Sequence, residues 1–234
     1  MKTLALETSA KSVSVAVTED GKVLASSYQN IGLTHSVTLM PLLDGMLQNA
    51  GLTLKDMDLL AVAAGPGSFT GLRIGVSALK GLAWAEDKPC CGVSTLEAMA
   101  LGFGAGRGYV CPCMDARRSQ VYNALFYSDG KSLRRLKEDR AISLEELAAE
   151  LEPLTEPVYL VGDGSALTYR TLHDRIPGLV MPPEHRMHQR AAGVALLAER
   201  EIRQGKTCDA NALTPNYLRL SQAERERLER QSHP

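Results

Sequence analysis

The stretch Gly65-Pro66-Gly67-Ser68-Phe69-Thr70-Gly71-Leu72-Arg73-Ile74-Gly75 constrains the fold of this chain more than any other. It follows the continuous apolar run Leu59-Leu60-Ala61-Val62-Ala63-Ala64 and leads into the helical pattern Val76 to Ala85. A buried strand therefore turns sharply into a helix, with glycines where the backbone bends or something approaches closely. Such a turn can present free N–H groups and a helix N-terminus to an anion. It can equally be a tight connection that lets helix and sheet pack closely. No Gly-Lys-Ser/Thr closes it, and its spacing is not that of a dinucleotide fingerprint.

Around this turn the pattern is strand–hairpin–helix, then strand–turn–helix. Residues 2–7 read as a buried strand ending in Glu7, and Val13, Val15 and Val17 alternate with small residues. Asp20-Gly21 makes a hairpin into a strand over 22–29, and 35–49 is helical with Gly51 as its stop. After a helix over 70–86 and a strand over 89–93, Ser94 and Glu97 read as a capping box for a helix over 95–101. Then the plan restarts. A strand over 109–114 ends in Asp115, a polar loop follows, and a second strand over 120–126 meets Asp129-Gly130. In both copies a valine stands six residues after the acid, Val13 and Val121. A buried strand over 158–161, a helix over 184–204 and a charge-alternating tail over 223–230 complete the pattern.

Composition narrows the function. Basic and acidic residues number 26 and 27, which argues against a dedicated, strongly basic nucleic-acid surface. No run of about 18 apolar residues occurs, and Glu7 comes too early for a signal peptide, so a cytoplasmic protein is expected. Cys90, Cys91, Cys111, Cys113 and Cys208 suit buried thiols better than a disulfide framework. His185 and His188 lack a third ligand and read as a solvated helix start, while His35 suits capping or burial.

Two α/β lobes that each open with an acid-tipped hairpin resemble the actin-like ATPase (ASKHA) fold. The expected division is 1–104 and a smaller second lobe over 105–213, with a helix over about 214–230 crossing back onto the first. More specifically, Leu6-Glu7-Thr8-Ser9 with Val13–Val17, the 65–75 turn, His35-Ser36, Asp115-Ala116-Arg117-Arg118 and Pro215-Asn216-Tyr217-Leu218-Arg219 resemble the TsaB branch of the tRNA threonylcarbamoyl-transfer family. The matches run in order along nearly the whole chain. The family's catalytic branch, TsaD, carries a metal-binding His-x-x-x-His helix just after the fifth strand. Here those positions are Thr95 and Met99, which are poor ligands for a hard or borderline divalent ion.

The resemblance implies a non-catalytic scaffold without cofactor. It pairs with TsaD and the small ATPase TsaE, forms a homodimer in isolation, and meets tRNA only through the complex. Leu39, Met40, Leu43, Met46, Leu47, Leu72, Val76 and Leu79, on the helices at 36–49 and 70–86, are the expected partner interface. Glu7, Thr8, Ser9, Arg73, Asp115, Arg117 and Arg118 are candidate vestigial nucleotide or cleft contacts. Each keeps a plainer reading: Glu7 as a loop cap, Arg73 as a solvated cation, Arg117 and Arg118 in ion pairs. The rival is a small enzyme of the same fold, a nucleotide-dependent kinase or a metal-dependent peptidase. Asp115 could act as the base of a kinase, but the Thr8–Lys11 loop has no glycine to admit a phosphate.

Overall fold

The computed structural model describes residues 1–104, 106–206 and 209–219, which form two five-stranded sheets. The first is built from β1 (Lys2–Glu7), β2 (Val13–Glu19), β3 (Lys22–Gln29), β4 (Leu59–Gly65) and β5 (Cys90–Ser94), in the order β3-β2-β1-β4-β5. The second contains β6 (Arg107–Asp115), β7 (Gln120–Asp129), β8 (Leu133–Ser143), β9 (Val158–Val161) and β10 (Leu179–Val180), in the order β8-β7-β6-β9-β10. Strand for strand the order is the same. In each sheet the first three strands are antiparallel and the last two run parallel to the first. The repeat of Glu7 and Asp115 therefore marks a duplicated sheet, the plan of the actin-like ATPase fold.

Helices α1 (His35–Ala50) and α2 (Phe69–Ala85) cover one face of the first sheet. Helices α4 (Leu144–Leu151) and α5 (Ser165–Leu172) cover the matching face of the second. The last helix of each half changes sides. Helix α3 (Thr95–Phe103) follows the first sheet, yet its Leu96, Met99, Ala100 and Phe103 pack on Val110, Tyr122, Ala124 and Phe126 of the second. Helix α6 (Ala191–Arg203) follows the second sheet, yet its Val194, Ala195, Leu197 and Ala198 lie against Ala5, Ala16, Ala61 and Ala63 of the first. Packing thus crosses the expected division at 104: α6 lies on the first sheet, and α3 lies largely on the second. Residues 209–219 also return to the first sheet, where the Asn216 N–H donates to Ala64 O at 2.7 Å. The remainder of the expected 214–230 helix, with the 223–230 tail, lies outside the described residues.

This exchange explains the small side chains between the valines of β2. Val13, Val15 and Val17 face α1, while Ser14 and Ala16 face α6. The two exchanged helices touch through glycine. A Cβ on Gly193 of α6 would lie 2.2 Å from the Ala98 carbonyl oxygen of α3, and one on Gly102 would lie 3.2 Å from Gly193 Cα. The expected helix over 184–204 begins only at Ala191, with Arg190 extended at φ −141. The Ala191 N–H donates to Ser14 Oγ at 2.8 Å instead of to a capping side chain. Residues 184–186 form a separate short turn, so His185 and His188 do not share a helix.

Ser94 caps α3 as expected, accepting from the Glu97 N–H at 3.1 Å. Glu97 does not close a capping box. Its carboxylate takes Arg135 of β8 at 2.5 Å and Arg200 of α6. Arg135 also reaches Asp139 at 2.7 Å. One half-buried ionic cluster thus ties the second sheet to both exchanged helices.

Candidate functional site: the cleft between the sheets

The carboxyl ends of the central strands of both sheets face one cleft of ≈ 510 Å³. It is lined by Ser9 and Lys11 of the β1–β2 loop, Ser68, Phe69 and Thr70 of the glycine turn, Asp115 to Arg118 after β6, and Asp163 after β9. Ligands of open α/β folds bind at this end of the strands.

The structure decides what the glycines are for. A Cβ on Gly67 would lie 2.5 Å from Ser9 O, on Gly71 2.1 Å from Thr8 O, and on Gly75 2.3 Å from Thr8 Oγ1. Gly65, at φ +127, meets Asn216 O at 2.3 Å. All four are approached by the chain itself. The Ser68 N–H donates to Ser9 O at 2.7 Å, and Thr8 Oγ1 donates to Gly71 O at 2.8 Å. Ser68 caps α2, accepting from the Gly71 N–H at 3.3 Å. The turn is therefore zipped to the β1–β2 loop, which is the close-packing reading of the motif.

Glu7 ends β1 fully buried, its Oε1 accepting the Ser9 N–H at 2.6 Å. Burial pushes its carboxyl up to about 7, against hydrogen bonds from Ser9 that lower it, and neighbouring Asp163 adds to the rise. Asp163 is also held above the usual carboxylate range by burial, opposed by Gln189, whose Nε2 lies 3.4 Å from Oδ1. Asp115 stands exposed, its Oδ1 accepting the Arg117 N–H at 2.7 Å. Arg117, Arg118 and Ser119 follow at φ +66, +56 and +56. Three consecutive non-glycine residues in the left-handed region are uncommon, and such strain concentrates at functional sites. This loop leaves Arg117 and Arg118 exposed at the cleft, with no ion pair among the described residues. Arg73 likewise has no acid partner among the described residues. Its Nε donates to Tyr217 Oη at 2.9 Å and its guanidinium sits 5.7 Å from that ring, which stacks on Phe69 at 4.7 Å. Arg219 donates to Ala116 O, so the 209–219 segment spans the cleft from one sheet to the other.

Ser9, Asp115, Arg117 and Arg118 thus line the cleft, Glu7 and Thr8 are buried behind it, and Arg73 lies at its edge beside Tyr217. Lys11, Asp163 and Arg219 join them without having been expected from the sequence. The acid after a buried strand in Val161-Gly162-Asp163-Gly164 is the readable signal for Asp163. Thr95 and Met99 are buried at the start of α3. Among the described residues, no three His, Cys, Asp or Glu side chains converge as a metal site would require. His35 is buried, Nε2 lying 2.7 Å from Ala10 O, and Cys90, Cys91, Cys111 and Cys113 are buried free thiols. Cys208 lies outside the described residues.

The expected interface needs correction. Leu39, Leu43, Met46, Leu72, Val76 and Leu79 are buried in the core of the first sheet, where they face β-strands and no partner can reach them. Leu47 is partly buried, and Met40 is exposed. The leucine- and methionine-rich stripe of α1 is wide because Leu42 and Leu47 flank the line that meets the sheet.

The model of the family TsaD: tRNA N6-adenosine threonylcarbamoyltransferase matches residues 29–227. A Bacillus subtilis tRNA threonylcarbamoyladenosine biosynthesis protein TsaB is 31% identical over 232 residues, covering 99% of this chain and 100% of that protein. The chain belongs to the TsaB family. A Pseudomonas aeruginosa protein described as similar to the peptidase YeaZ superposes with a TM-score of 0.78 at 29% identity, over 93% of this chain and 99% of that one. The likeness to a Clostridium difficile 2-hydroxyisocaproyl-CoA dehydratase activator concerns the fold alone, with a TM-score of 0.50 at 12% identity over 88% and 97%. In this TsaB-family chain, Asp115 and Asp163 line the cleft while the glycine turn is filled by the chain's own backbone. No helix among the described residues is long and apolar enough to cross a membrane.

Proposed function

We propose that this TsaB-family chain is a non-catalytic scaffold and activator, acting in the cytoplasm in tRNA threonylcarbamoyladenosine biosynthesis. It pairs with TsaD, and with TsaE, for transfer of the threonylcarbamoyl group to the adenosine beside the anticodon. In isolation it forms a homodimer. The observation that carries this reading is the pair Thr95 and Met99, buried where the catalytic branch carries its histidines. The packed glycine turn also speaks against the kinase alternative, because its Ser68 and Gly71 amides already have partners.

The partner surface we propose is the outer side of α1 and α2. Val37, Met40 and Trp84 are 64%, 44% and 61% exposed there, and exposed apolar groups of this size suit an interface. The test is reconstitution of tRNA modification with and without the chain, beside assays of the chain alone. Modification should require it. Steady ATP hydrolysis, peptide cleavage or tRNA modification by the chain alone, above a background control, would defeat the reading.

A further inference from the structure

We propose that the mouth of the cleft is an RNA-docking surface, with Lys11, Arg117 and Arg118 meeting phosphates and the Phe69–Tyr217 pair offering a stacking face. The inference rests on the reading above, that the chain works on tRNA, and names a direct contact which that reading leaves to the partner.

The distribution of charge carries it. Lys11, Arg117 and Arg118 come from two sheets, are exposed, line one cleft, and have no ion pair among the described residues. Elsewhere Arg107, Arg135, Arg140, Arg175, Arg200 and Lys206 reach carboxylates, and other cations without an ion pair among the described residues, such as Lys22, Lys55 and Lys131, do not line this cleft. With 26 basic against 27 acidic residues in the whole chain, what sets this rim apart is that Lys11, Arg117 and Arg118 gather at one cleft. The acid at that rim is Asp115, which accepts a backbone N–H. Beside the cations, the Phe69 and Tyr217 rings stack at 4.7 Å, with Tyr217 38% exposed and Arg73 over its face. Cations beside a half-buried aromatic pair, whose Phe69 ring lines the cleft, match the way unpaired nucleotides are held, by phosphate contact and base stacking.

A small anion deep in the cleft fits less well. Asp163 lines it, with the buried Glu7 behind, and the Ser68, Gly71 and Leu72 amides that could cradle a phosphate already donate to Ser9 O, Ser68 Oγ and Ser68 O. A strand lying across the mouth meets the cations and the rings without reaching the acids.

The experiment measures binding of a synthetic tRNA anticodon stem-loop to the complex of this chain with TsaD, across potassium chloride concentrations. Wild type is compared with the triple variant Lys11→Ala, Arg117→Ala, Arg118→Ala. A Lys22→Ala variant, altered at the opposite end of the first sheet, is the control. Each lost phosphate contact on unpaired RNA lowers the log–log salt slope by about 0.7. The triple variant should therefore lose about 2 in slope, which is about a hundredfold in affinity at 0.1 M salt. Lys22→Ala should change neither. Unchanged slope and affinity in the triple variant, with the complex intact by sedimentation, would overturn the RNA surface and leave the scaffold reading standing. If the wild-type chain fails to pair with TsaD, both fall. Displacement of the stem-loop by ATP in the wild type but not in the triple variant would also overturn the proposal, in favour of a small-molecule cleft.

Discussion

Replacing Gly193 with alanine tests the contact that joins the exchanged helices. In an exposed helix this change gains about 1 kcal/mol from propensity. Here the new Cβ would sit 2.2 Å from Ala98 O, 3.1 Å from Ala98 C and 3.3 Å from Gly102 Cα. All three obstacles are backbone, so no rotamer change relieves them, and α3 and α6 must separate by about 1 Å to restore ordinary contact. Overpacking typically costs about 1–3 kcal/mol, and rigid obstacles put this site at the upper end. The net expectation is a loss of about 2 kcal/mol, which lowers Tm by about 4–8 °C in a chain of this size. Gly45→Ala in α1 is the control, because nothing lies within 4 Å of the place its Cβ would take. It should gain about 1 kcal/mol and raise Tm by about 2–4 °C. Thermal unfolding followed by circular dichroism reads both. If Gly193→Ala raised Tm as Gly45→Ala does, the helix contact would not constrain the fold as argued.

Glu7 makes stability depend on pH. Its folded carboxyl, raised to about 7 from 4.5, keeps its proton where the unfolded chain has lost it, so its contribution is full below pH 4.5 and is lost as pH rises to about 7. Glu7→Gln should therefore gain on wild type across that window, by up to about 3 kcal/mol, and chemical unfolding at pH 5 and pH 8 measures the difference. Glu97→Ala leaves Arg135 and Arg200 without their shared carboxylate; the half-buried cluster sets an expected loss of about 2–3 kcal/mol in urea unfolding, while Glu138→Ala, at an exposed carboxylate, should cost under about 1. Leu39→Ala should cost about 2–5 kcal/mol in stability as a core truncation, whereas Val37→Glu should keep the fold and weaken pairing with TsaD in sedimentation.

Much of this architecture is readable because the duplicated plan writes itself in local signals. Glu7 and Asp115 end buried strands, Asp20-Gly21 and Asp129-Gly130 turn hairpins, and Gly51 stops α1 in the left-handed conformation at φ +64. Those signals act within a few residues. The exchange of α3 and α6 does not, because Leu96 and Val194 are ordinary core residues whose sheet is chosen only when the lobes meet. For the same reason the pattern of α1 overstates an interface: spacing gives the width of an apolar stripe and not what covers its flanks. Strand β8 escapes a sequence reading because Leu133–Ser143 is rich in charge, and two of its arginines find carboxylates on other elements, Arg135 on Glu97 of α3 and Arg140 on Glu150 of α4. In the cleft, the acids and arginines are visible as residue types. That Thr8 and Ser9 fill the glycine turn depends on a loop about 60 residues away folding onto it.

The exchanged helices also fix when the protein can finish folding during its synthesis. The first sheet is complete in sequence by Ser94, but the face holding Ala5, Ala16, Ala61 and Ala63 stays bare until α6 has emerged. Thr18 Oγ1 and the Gly21 N–H wait equally long for the Glu199 carboxylate that binds both, across separations of 181 and 178 residues. Contacts this distant in sequence close slowly and leave apolar surface exposed in the meantime. A nascent chain arrested before Ala191 therefore carries an uncovered alanine-lined face, and no pause between the two sheets releases a finished first half.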